Sequence, residues 1–166
     1  MKREDIPSLL QLHGEKIVEL GVDECIFTEQ LAIRYPKKHI YAVDKWNGDG
    51  RDGQTFSRVV DKLRPYSPQI SFFRGTFEVV CKMFSDEYFD MIYIDGFAHT
   101  GQDNGKTLDL WWPKLRQGGI FSGHDYCDKY LATKLVVNKF AEKHGLTIEV
   151  TDEKDLPSWY CFKPGV

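Results

Sequence analysis

Apolar bursts alternate along this chain with amphipathic stretches, and no repeat or low-complexity tract interrupts them. Residues 16–20 read as a short buried strand. Residues 24–35 follow with apolar positions at Phe27, Leu31 and Ile33, which suits a helix ended by Pro36. The next strand is 39–43, and the glycine-rich stretch 47–53 is a turn-rich loop. A helix over 56–63 is closed by Pro65. Strand 69–73, a short helix 77–84 and strand 89–94 come after it. Residues 106–115 read as a helix broken by Gly118-Gly119, and 120–122 as a short buried strand. The pattern predicts an amphipathic helix over 129–144, with Leu131, Leu135, Val136, Phe140 and Ala141 inward and Gly145 at its C-terminal end. Strands 147–150 and 159–162 close the chain. Strands alternating with helices predict an α/β protein whose parallel sheet is flanked by helices. The closing hairpin is expected to add an antiparallel edge strand. In such sheets ligands bind at the carboxyl ends of the strands, where the strand order reverses.

Composition narrows the class. The 166 residues fit one domain, here taken as 1–166, and 42% hydrophobic with 28% charged residues excludes disorder as the main state. A net charge of −3 argues against a broad nucleic-acid face. Cys25, Cys81, Cys127 and Cys161 form no Cys-x-x-Cys pair, which argues against a structural zinc site or a redox motif. No apolar run approaches the roughly 20 residues of a membrane span, and Met1-Lys-Arg-Glu-Asp5 opens no targeting segment. A cytoplasmic protein with reduced thiols is the expectation.

Candidate chemistry gathers at the strand ends. The first strand runs into Gly21, which lets a ligand approach the backbone, and then into a helix whose N-terminus offers free N–H groups. A plain strand–helix turn has the same sequence. Asp44 ends the second strand 23 residues later, near the separation of about 20 expected of a ribose-binding acid, although a surface Asp is common there. Trp46 is a candidate adenosine wall or a packing residue. Arg74-Gly75-Thr76 follows the third strand, where its backbone can meet an adenine. Asp95 ends the fourth strand, and Ser122-Gly123-His124-Asp125 ends the fifth. On adjacent strands roughly 5 Å apart, Asp95, His124 and Asp125 can converge as ligands for Mg²⁺ or Mn²⁺, or simply as polar loop ends. His99 lies four residues beyond Asp95, with the ordinary pKa of a general base. His13, His39 and His144 read as structural, and Trp111-Trp112-Pro113 as helix-to-sheet packing ahead of substrate stacking. Asp49 and Asp52 lack the spacing of a calcium loop, so that stretch reads as a flap.

Several segments together resemble the class I S-adenosylmethionine-dependent methyltransferases, specifically the compact O-methyltransferase-like group called methyltransferase family 24. They are Val18-Glu-Leu-Gly-Val22, Tyr41-Ala-Val-Asp-Lys-Trp46, Phe89-Asp-Met-Ile-Tyr-Ile-Asp-Gly96, the stretch 111–126 and Pro157-Ser-Trp-Tyr160. The resemblance covers about 16–164. It implies a Rossmann-like seven-stranded sheet, mostly parallel with the last strand antiparallel and helices on both faces. It implies S-adenosylmethionine contacted by Glu19, Gly21, Asp44 with Lys45 beside it, Gly75, Thr76 and Asp95. Metal-dependent sugar and catechol O-methyltransferases look similar at Asp95 and His124-Asp125, and in some sugar methyltransferases a His in the place of His99 is the base. The resemblance thus implies O-methylation of a sugar or hydroxylated small molecule, with Asp95 and His99 catalytic and Mg²⁺ or Mn²⁺ assisting.

The chain departs from the family pattern at Cys25, where a Gly is usual, at His124, where an acid is usual, and in the spacing from Asp95 to His99. Little sequence is left for a lid. Closure is expected from 47–54, from 100–105 or from a second subunit. Two other classes compete. A non-catalytic adenosine-binding module is motivated by Cys25 and by the missing lid. A nicotinamide oxidoreductase is disfavoured by the missing Gly-x-Gly-x-x-Gly. Nucleic-acid amino-methylation is disfavoured by the acidic charge and by the missing Asn/Asp-Pro-Pro-aromatic motif.

Overall fold

The computed structural model describes residues 1–10, 15–47, 53–96 and 101–165. Seven strands form one sheet: β1 (Lys16–Leu20), β2 (His39–Asp44), β3 (Ile70–Arg74), β4 (Phe89–Ile94), β5 (Leu115–Gly123), β6 (Glu149–Val150) and β7 (Trp159–Phe162). Their order is β3-β2-β1-β4-β5-β7-β6. β1 to β5 pair in parallel, while β7 runs antiparallel to both β5 and β6. The antiparallel strand is therefore internal. The edge is the two-residue β6, which corrects the expected antiparallel edge.

Side-chain alternation makes the layers. Ile17, Met91 and Tyr93 point to one face, where α1 (Ile26–Arg34) and α2 (Gly53–Leu63) bring Phe27, Leu31, Val59 and Leu63. Val18, Leu20, Ile92 and Ile94 point to the other. There α3 (Phe77–Cys81), α4 (Lys106–Trp111) and α5 (Leu131–His144) bring Val80, Trp111, Val137 and Phe140. β4 is buried at every residue, and its one charged member, Asp90, accepts the Glu15 and Lys16 N–H groups and pairs with Arg116.

Helix faces differ from the sequence pattern in two places. α5 buries Thr133, Val137, Phe140 and Ala141, a helical stripe at i, i+4, i+7 and i+8. Leu131 and Leu135 fall outside that stripe and are more than half exposed. In α1 the stripe is Phe27, Thr28, Leu31 and Ala32, so Ile33 faces outward.

β5 also begins earlier than expected. α4 stops at Trp111, a 3₁₀ turn over Trp112–Lys114 follows, and the strand starts at Leu115. Phe89 pairs with Leu115 and Met91 with Ile120, so Gly118-Gly119 belong to a bulge inside β5 rather than to a helix end. A 3₁₀ helix over Arg3–Leu9, with Ile6 fully buried, is an element the pattern does not predict.

Candidate active site

The strand order reverses between β1 and β4, the switch point at which α/β sheets bind ligands. A cavity of about 750 Å³ opens there, within the usual range for small-molecule sites. Glu19, Gly21, Asp44, Lys45, Thr76 and Asp95 all line it. Gly75 is outside the lining, and its N–H donates to the Asp44 carbonyl at 2.9 Å. Thr76 lines the cavity while its hydroxyl accepts the Val79 N–H at the head of α3.

The turn after β1 keeps positive φ at alternate residues: Gly21, Asp23 and Cys25. Only Gly21 is a glycine, and packing as well as φ demands it. A Cβ there would overlap the Asp95 carbonyl and the Gly96 Cα. Its first service is thus the close approach of the β4 end, beside any approach of a ligand. Cys25 accepts the left-handed conformation with its side chain fully buried in the core, outside the cavity lining. The Cβ that replaces the usual glycine therefore does not narrow the cavity.

Asp44 organises this turn. One carboxylate oxygen accepts the Val22 and Asp23 N–H groups at 2.9 and 3.0 Å, and the other accepts the Trp46 N–H at 2.9 Å. These bonds occupy three of about four lone-pair positions. Trp46 is fully buried, with its indole N–H on the Asp23 carbonyl, so it packs rather than walls the cavity. Arg74 reaches the Lys45 carbonyl and covers the Phe56 ring.

Glu19 is buried at the cavity floor. Burial pushes its carboxyl up to about 8, although the Thr28 hydroxyl donates to it at 2.6 Å and opposes the shift. Apart from Glu19, the described lining carries six further carboxyl groups (Asp23, Glu24, Asp44, Glu78, Asp95, Asp103) against Arg3, Lys45 and Lys106. That imbalance favours a cationic ligand.

The β4–β5 register sets Ile94 beside Gly123, and the His124 N–H continues the ladder to the Ile94 carbonyl at 2.9 Å. Asp95, His124 and Asp125 thereby meet, with ligand atoms within 4.8 Å of one another. His124 Nδ1 lies 3.3 Å from a carboxylate oxygen of each Asp. Burial disfavours the charged imidazole, but the hydrogen bond and charge of Asp95, with the charge of Asp125, outweigh it and raise its pKa. Two carboxylates and an imidazole fit a divalent ion, and the imidazole suits Mn²⁺ better than Mg²⁺. A proton on His124 would have to leave first. His124 and Asp125 do not line the main cavity. His124 faces a second cavity of about 420 Å³, and Arg3 lines both.

His99, most of the 47–54 loop and Thr100 lie outside the described residues. The sequence reading missed Arg3, Phe27, Phe77 and Lys106 in the lining. Phe77 had a signal, since it follows the third strand at the ligand end of the sheet. Arg3 had none.

The sequence profile of the methyltransferase domain of family 24 matches residues 18–126. No curated protein matches the chain. Among solved structures, a provisionally assigned O-methyltransferase from Klebsiella pneumoniae is 16% identical, with a TM-score of 0.72 over 98% of this chain and 79% of that one. A provisionally assigned caffeoyl-CoA O-methyltransferase from Staphylococcus aureus is 15% identical, with a TM-score of 0.70 over 98% and 84%. Spermidine synthase from Thermotoga maritima is 14% identical, with a TM-score of 0.69 over 98% and 60%. At these identities the structures share the fold, and that fold serves more than one reaction. The profile match spans more than half of the chain and includes Glu19, Gly21, Asp44, Asp95, His124 and Asp125: the chain belongs to methyltransferase family 24, within the class I S-adenosylmethionine-dependent methyltransferases.

Proposed function

We propose that this enzyme transfers a methyl group to a hydroxyl oxygen of a small molecule or sugar, with a divalent ion assisting. The observation that supports this reading most is a single cavity running from the Asp44–Gly21 turn to Asp95, itself one of three clustered metal-ligand candidates. S-adenosylmethionine, when bound, supplies a methyl group already activated on a sulfonium. Asp44 would accept from the ribose, with Lys45 and Thr76 around the adenosine half. The acidic lining would favour the positive charge. Asp95, His124 and Asp125 would hold the ion, which lowers the pKa of a coordinated hydroxyl and orients it. His99 would take the proton. Much of the rate would come from holding the acceptor oxygen in line.

The non-catalytic reading draws on Cys25 and on the missing lid; of these, the Cys25 side chain is turned into the core. Free thiols, three of them buried, fit a cytoplasmic setting, and among the described residues no helix is long and apolar enough to cross a membrane.

The test is methyl transfer from labelled S-adenosylmethionine to catechols, sugars and primary amines, with Mn²⁺ or with a chelator. Transfer to a hydroxyl acceptor should require the ion and should fall at least about 10-fold in Asp125→Asn, the order of loss when groups that organise a metal site are changed. Transfer to amines alone, or transfer indifferent to chelation, contradicts the reading.

A further inference from the structure

The main cavity has two chemically distinct ends. Asp44 and Lys45 stand at the end of β2, and Arg3 stands beside Glu19 and Asp95 at the ends of β1 and β4. With β1 between β2 and β4, these ends are about two strand spacings apart, roughly 10 Å. A ligand whose ribose meets Asp44 and which extends across β1 therefore brings its other end to Arg3.

The guanidinium is held there from several sides. It lies 4.7 Å from the centre of the Phe27 ring, meets the Tyr93 hydroxyl, and is ion-paired with Asp95 at 3.7 Å, a separation longer than a hydrogen bond. The segment carrying it is fastened independently of the side chain. The Arg3 N–H donates to Glu153 at 2.6 Å, the Tyr35 hydroxyl donates to the Glu4 carbonyl at 2.7 Å, and Ile6 is fully buried. Of the other two cations in the described lining, Lys106 stands on α4 in a closer ion pair with Glu78, and Lys45 stands at the opposite end. At the β1/β4 end, amid carboxyl groups, only Arg3 among the described residues offers the two-pronged donor that matches a carboxylate.

We propose that Arg3 anchors the α-carboxylate of the cofactor's amino-acid end and so makes this site selective for adenosyl ligands that carry one. The inference rests on the cofactor reading above.

Calorimetric titration compares S-adenosylhomocysteine with S-adenosyl-3-thiopropylamine, the same molecule without the carboxylate, on wild type, Arg3→Gln and Arg3→Lys. Wild type should prefer the carboxylate ligand by roughly 10- to 100-fold, the range of a hydrogen bond to a charged group. Arg3→Gln should lose most of that preference, with binding of the decarboxylated ligand unchanged, and Arg3→Lys should keep part of it. Equal weakening of both ligands in Arg3→Gln, or an unchanged preference, overturns the assignment. Binding of neither ligand to wild type is a different failure: it removes the cofactor reading itself, and the anchor with it.

Discussion

Glu19 shows how one residue serves both the fold and the site. Its carboxyl is raised to about 8 by burial, so the folded protein at neutral pH carries it largely protonated, whereas the unfolded chain ionises near the ordinary value of about 4.3. The folded state then binds more protons than the unfolded one between those values. This contribution to stability is complete below the ordinary carboxylate range and is lost as pH rises through about 8. Urea midpoints from about pH 5 to about pH 9 should fall in wild type relative to Glu19→Gln, which cannot ionise. Parallel profiles for the two proteins would show that Glu19 ionises freely in the fold. The same acid was legible in the sequence only through family resemblance. Composition shows a Glu in a strand and nothing of its burial, which the Phe27 and Thr28 layer of α1 creates.

At the scale of elements, the turn after β1 depends on the end of β4. Gly21 and Gly145 both hold positive φ, but only Gly21 has backbone pressed against the place of its missing Cβ, while Gly145 has open space. Gly21→Ala should therefore cost roughly 2–4 kcal/mol, as severe core strain does, and Gly145→Ala nearer 1–2 kcal/mol, the backbone penalty alone. Chemical denaturation of the two variants reads the difference, and equal losses would mean that β4 does not press on the turn. Strand identity was legible because β1, β2 and β4 are short apolar runs bounded by turn residues. The start of β5 was not, because Gly118-Gly119 has the composition of a helix end while the ladder turns it into a bulge. The 3₁₀ helix over Arg3–Leu9 was not legible either. Its charges and Pro7 carry no periodicity, and its place is set by distant partners: Tyr35, Arg34 and Glu153.

For the molecule as a whole, the sheet order explains why residues scattered over the sequence share one cavity. Asp44, Asp95 and His124-Asp125 were legible as site candidates because each sits at or just past the end of a strand, and parallel strands deliver their ends to one side. Arg3 comes from outside that repeating pattern, so no strand rule finds it. The central claim is that this shared cavity holds S-adenosylmethionine. Calorimetric titration of S-adenosylmethionine into wild type and Asp44→Asn, with thermal unfolding of both to confirm the fold, tests it most directly. One saturable site per chain, weakened at least roughly tenfold in Asp44→Asn as befits a charged hydrogen bond, is the predicted result. No heat of binding to wild type at millimolar ligand would contradict the account.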